Sequence, residues 1–153
     1  MAVDVHNSRP RLVLSNRANC SHFLKYQQKI MNTSLMGRLI AVLFLSRELA
    51  HREHLRTTSY AKHIALNEFY DGIIELADSI AEAFQGRYGV IDSIPMLDAP
   101  ATGDIADVLE GQLALVEQLR YTAVDKQQTA VQNLIDEAVA LYLSTLYKLR
   151  TFK

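Results

Sequence analysis

The sequence predicts an all-α fold, a four-helix bundle preceded by an irregular basic N-terminal arm. Three observations lead there. Apolar residues recur at spacings of three and four over four stretches, turn residues separate those stretches, and strand-like alternation is essentially missing. With 153 residues and 49% hydrophobic content, the chain is long enough to bury a core of its own.

Residues 1–20, MAVDVHNSRPRLVLSNRANC, form the arm. They show no sustained period and carry Arg9, Arg11 and Arg17, with at most a short extended piece at Arg11–Leu14. Basic arms grip phosphates or lie on acidic surfaces, so these arginines are candidate contacts to nucleic acid or to a neighbouring copy. Residues 21–153 are expected to make one helical domain.

Ser21–Met31 reads as a short helix through Phe23, Tyr26 and Ile30. Asn32, Thr33 and Ser34 are then cap residues for a helix from about Ser34 to His54. Leu35, Leu39, Leu43 and Ala50 share its apolar face, flanked by Met36 and Val42. Phe44 and Leu45 fall outside that stripe. A helix apolar over more than half its circumference is usually covered on two sides, so these two are expected contacts between copies in a homo-oligomer.

Thr57, Thr58 and Ser59 make a turn and cap a long helix from Tyr60 to Tyr88. Its seam is Leu66, Tyr70, Ile73, Ala77, Ile80 and Phe84, a regular alternation of four and three, with Gly86 and Gly89 as stop signals. Residues 90–103 contain Pro95, Pro100 and Gly103 and read as a loop crossing from one end of the bundle to the other. Asp104 caps a third helix to about Tyr121 through Ile105, Leu109, Leu113, Val116 and Leu119. The last helix is expected from Asp125 to Arg150, with Val131, Leu134, Ala138, Leu141, Thr145 and Leu149 inward.

Charge and cysteine content narrow the function classes. The net charge is −1, but residues 1–63 hold 10 Lys/Arg against 3 Asp/Glu, and residues 64–153 hold 6 against 14. That split favours head-to-tail contacts or an anionic partner for the basic half. The single Cys20 excludes an intramolecular disulfide framework and suits a reducing compartment. No signal-peptide pattern is visible, and the apolar run Leu39–Leu45 is much shorter than the roughly 20 residues of a membrane span. A soluble protein with no membrane partner is expected.

The segment His51–Gly86 carries the candidate chemistry. Asp71, Glu75, Asp78 and Glu82 line one side of the long helix, turned away from its apolar seam. Glu48 and His51 form a single E-x-x-H pair, where helical di-iron sites use two. Arg47, His51 and His54 share a stripe, and Arg47 is expected level with Asp71 as an ion pair competing with metal ligation. His54 and His63 straddle the turn and are expected to bond each other's helix ends. Glycine-rich phosphate loops, zinc spacings and nucleophile elbows are missing.

The segment HIALNEFYDGIIELADSIAE resembles the second helix of Dps-type mini-ferritins. Asp71 and Gly72 match the Asp-Gly of that family, and Asp78 with Glu82 resemble its later acidic pair. Asn67 stands where the family has a ligand histidine. The resemblance implies a ferritin-like bundle and, in a working member, iron bound and oxidised at subunit interfaces by His51, His63, Asp71, Asp78 and Glu82. HLRTTSYAKHIALNEFYD and TLYKLR, within residues 35–153, also resemble small tailed-phage proteins of unknown function. That resemblance implies a non-enzymatic, self-associating virion or host-interaction component, in the virion or host cytoplasm, with no cofactor.

Overall fold

A computed structural model describes residues 16–99 and 103–152, with the side chains of residues 16–20 and 22 excepted. Four helices form: α1 (Asn16–Arg56), α2 (Tyr60–Tyr88), α3 (Ile105–Ala123) and α4 (Thr129–Thr151). No strand forms among the described residues, so the fold is all-α, as expected.

The short first helix and the following cap do not exist as separate elements. The chain is helical without a break from Asn16, and α1 has 41 residues, about 60 Å of helix. The cap-type side chains found partners within the helix instead. Thr33 donates back to the Ile30 carbonyl at 2.9 Å, and Gln28 donates to Asn32 at 2.8 Å. Residues 16–20, expected in the arm, are therefore helical. Arg9, Arg11 and the piece Arg11–Leu14 lie outside the described residues, as does the side chain of Arg17.

Ser59 caps α2 by accepting from the Lys62 amide at 3.3 Å. Leu66, Ile73, Ala77, Ile80 and Phe84 are buried as expected, but Tyr70 is half-buried and Phe69 takes the central place, edge-on to Tyr142. Gly86 lies inside the helix. Gly89, at φ 95°, ends it in a conformation that side chains with a Cβ rarely adopt.

The crossover then runs the length of the bundle. It starts beside α1, where Thr33 reaches Asp92 at 3.2 Å, and ends at Asp104, 3.6 Å from Lys62 at the other end of α2. Hence α3 runs in the same direction as α2. Arg150, near the end of α4, pairs with Asp107 and Glu110 near the start of α3, so α4 returns antiparallel. The helices form a ring in the order α1, α2, α4, α3, every neighbour antiparallel.

Asp104 caps α3 through the Ala106 amide at 2.8 Å, and the expected α3 stripe is buried throughout. Asp125 does not begin α4. Its carboxylate accepts from the Gln127 amide at 2.9 Å in a turn, and the helix starts at Thr129. The α4 core face is also rotated from the expected one, centring on Ile135 and Tyr142 and leaving Leu134, Leu141 and Leu149 half-buried.

By length and composition alone, Phe23–Arg56 of α1 is long and apolar enough to cross a membrane, which the run Leu39–Leu45 by itself did not suggest. Half of its apolar window is buried inside the bundle, as in the core helix of a packed domain.

Candidate functional site

The joint between α1 and α2 gathers the histidines. His54 and His63 stack face to face, ring centroids 3.7 Å apart and 22° from parallel. Each ring Nδ1 donates to the other residue's backbone carbonyl, at 2.9 Å from His54 and 3.1 Å from His63. The expected exchange of helix-end bonds is thus present. Next to it, His51 stacks on Tyr70 at 4.2 Å, and His54 meets the same ring edge-on at 5.2 Å. The Tyr70 hydroxyl donates to Asn67 at 2.9 Å, and Asn67 donates to Asp71 at 3.1 Å.

The Arg47–Asp71 ion pair does not form. Arg47 lies over the Tyr70 ring, 5.8 Å from its centroid, and its nearest carboxylate is Glu48 at 3.4 Å. Asp71 is reached instead by Asn67, its neighbour one turn earlier on the same helix. Glu48 is not a partner for His51 either. A 2.7 Å hydrogen bond from Arg52 holds its carboxyl below the usual carboxylate range, with burial acting the other way.

The five residues proposed as iron ligands do not meet within one chain. His51 is stacked on Tyr70, and one nitrogen of His63 is held by a carbonyl. Asp71, Asp78 and Glu82 are exposed along α2. From His63 to Glu82 the helix rises about 28 Å, whereas ligand atoms sit roughly 2–2.6 Å from a metal. Among the described residues, no three His, Cys, Asp or Glu side chains converge to hold an ion. The expected set is one completed between subunits, and a single chain does not assemble it.

Two polar clusters were not expected. In the core, Ser46 lies 2.7 Å from Gln112 Oε1 and 2.8 Å from the Val42 carbonyl, and the Tyr142 hydroxyl bonds to it. Burial pushes the Tyr142 phenol far above its usual range, with the Ser46 bond acting the other way. Gln112 Nε2 is buried without a partner among the described residues. At the α3–α4 joint, Arg120 is 4% exposed and donates to Gln132 at 3.1 Å and to Asp136 at 2.5 Å. Gln132 in turn donates to the Val124 carbonyl at 3.0 Å, closing the loop between the helices. The only sequence signal for either cluster is a polar residue at a core-facing phase, which apolar periodicity ignores.

Phe44 and Leu45 are half-buried by their own chain, less open than the sequence suggested. Phe44 borders a shallow depression with Ile74 and Arg47. Leu45 faces a groove of about 640 Å³ between α1, the crossover and α3, with Val42, Leu97, Val108 and Leu115 as apolar wall. Further upstream on α1, Phe23, Leu24, Tyr26 and Met31 are each at least half exposed; Leu55, Tyr60, Val90 and Met96 are more exposed still but are scattered over the molecule.

A model of the DUF5856 family, a family of unknown function, matches residues 54–149. The chain belongs to that family. The DUF5856 match opens at His54 and takes in the His54–His63 clamp, Tyr142 and the Arg120 cluster. Most of α1, including its exposed upstream part, lies before it. No curated protein and no solved structure matches the chain.

Proposed function

We propose that this chain is a non-enzymatic, self-associating helical-bundle protein, a structural component of a phage particle or a factor that engages host proteins. The observation that carries the reading is the overhang of α1. Lys29 of α1 is level with Gly89, where α2 ends, so the turns before it extend past α2. Phe23, Leu24 and Tyr26 there, and Met31 just after Lys29, are each at least half exposed. An isolated helix with a bare apolar side is poorly stabilised in water and is ordinarily ordered by something that covers it.

The ferritin-like part of the reading is supported by the single long crossover between helices running in the same direction, a connection that ferritin-like bundles use. The phage setting is supported by the sequence resemblance alone. Native mass spectrometry of the full chain tests the reading, because it reports copy number and bound metal together. Oligomers that persist at micromolar concentration and carry no iron are expected. A monomer at high concentration, or an iron-loaded assembly, overturns the reading.

A further inference from the structure

We infer that the upstream part of α1 seats in the groove between α1 and α3 of a second copy, and receives that copy's α1 in return, so that two chains pair through an antiparallel α1–α1 seam. This rests on the self-association proposed above and gives it a surface, a register and a symmetry.

The seam is written in the phase of α1. Leu24, Gln28, Met31, Leu35, Val42 and Leu45, with Arg38 between them, follow one another at spacings of four and three. At 100° per residue they occupy an arc of about 100°, a single stripe down the helix. The core side of α1 centres on another side, with Met36, Leu39, Leu43 and Ala50, although Val42 of the stripe is also covered by its own chain at the foot of the groove. Two depressions open on the seam. One, of about 470 Å³, is bordered by Leu24, Gln28, Met31 and Leu35; the other is the groove at Val42 and Leu45. The first is shallow and is bordered by side chains of α1 alone, with no wall from another element. The second has walls, from the crossover and α3, and lacks a filling.

One half of the seam therefore supplies what the other half lacks, and both halves lie on one helix face. Such an arrangement is self-complementary only if the second helix runs antiparallel about a two-fold axis. Packing the stripe into its own copy, with each position in the hole left by the other helix, places Leu24 of the second copy in the groove at the level of the buried Val42, beside Leu45, and Met31 of the second copy against Leu35. Arg38 then faces Gln28 of the second copy. Gln28 gives its amide hydrogen to Asn32, which leaves its oxygen free to accept from the guanidinium. The axis passes near residue 33, with Ser34 beside its own counterpart.

Charge agrees with this occupant. From Asn16 to Arg47 the helix has no acidic residue, and Lys25 comes just after Leu24. The groove walls that would receive this segment carry Asp98 on the crossover and Asp107 on α3. Ion pairs at such a rim orient the partner more than they hold it, so the apolar contacts carry the affinity.

Cysteine cross-linking reads the register directly. In a Cys20→Ser background of the full chain, Ser34→Cys is expected to give a disulfide-linked dimer rapidly under mild oxidation. Leu24→Cys in the same background should remain unlinked, because the antiparallel seam holds the two copies of that residue far apart. A Met31→Glu variant should lower the association state while keeping the helical far-ultraviolet signal, since Met31 lies outside the bundle core. Oligomers in which Ser34→Cys stays unlinked would overturn this seam and leave self-association standing. Linkage at Leu24→Cys would show parallel pairing instead and also overturn it. A wild-type chain that remains monomeric removes both the seam and the reading beneath it.

Discussion

His54 and His63 hold each other by the main chain: each ring bonds the other's carbonyl while the two rings stack at 3.7 Å. The clamp fixes the angle at which α2 leaves α1, and His54 is 7% exposed, so little water can replace what is lost. Replacing His54 by Ala is expected to cost about 1.5–2.5 kcal/mol, from the one hydrogen bond its ring donates, about 1 kcal/mol, and the lost ring contact, while the carbonyl of residue 54 remains to accept from His63. Denaturant unfolding of both single variants and the double variant checks it. The double should cost clearly less than the sum, because either change alone already breaks the stack.

The crossover can be tested at Gly37. A Cβ there would sit 2.0 Å from the Ser93 carbonyl oxygen, so Gly37→Ala must push the crossover off α1. A loss of about 1–3 kcal/mol is expected, the range for overpacking a filled site. Gly86 is the control, since nothing lies within 4 Å of a Cβ placed there and the position is helical. Gly86→Ala should raise stability by about 0.5–1 kcal/mol. Equal melting-temperature shifts for the two would show that the close approach is not what holds Gly37.

Tyr142 gives an alkaline prediction. Burial raises its phenol in the folded chain, whereas an unfolded tyrosine ionises near pH 10. A raised folded value means that the contribution to stability is complete below about pH 10 and is lost as pH rises through the folded value. Each pH unit within that window should remove up to about 1.4 kcal/mol. Tyr142→Phe should flatten this fall, while costing about 1 kcal/mol at neutral pH through the lost bond to Ser46. Urea midpoints at pH 8, 10 and 11, identical in slope for the two proteins, would contradict it.

Arg120 is the most buried cation described, and its removal should cost more than removal of its carboxylate partner. Arg120→Met leaves Gln132 Oε1 without its donor in a closed joint, for an expected loss of about 3 kcal/mol. Asp136→Asn keeps a hydrogen-bond acceptor, and the Asp136 side chain is 61% exposed, so about 1 kcal/mol is expected. A reversed order in thermal unfolding would show that the joint is held by apolar packing instead.

The sequence by itself determined the all-α class, the bounds of α2, the caps of α2 and α3, and that the acidic row from Asp71 to Glu82 faces water. Those are local matters: a cap needs a neighbour three residues away, and an apolar stripe repeats within a turn. It also placed the His54–His63 exchange correctly, because a three-residue turn leaves those two positions little choice of neighbour. Tertiary structure decided the rest. Thr33 stays inside a continuous α1 although it is a cap-type residue, because its hydroxyl has the Ile30 carbonyl and Asp92 to bond. Arg47 turns to Tyr70 and Glu48 rather than Asp71, since the rotation of two packed helices, not their level, sets which side chains touch. Ser46, Gln112 and Tyr142 lie 66 and 96 residues apart along the chain. No periodicity joins such distant positions; only the packing of α1, α3 and α4 around one core brings their polar atoms together.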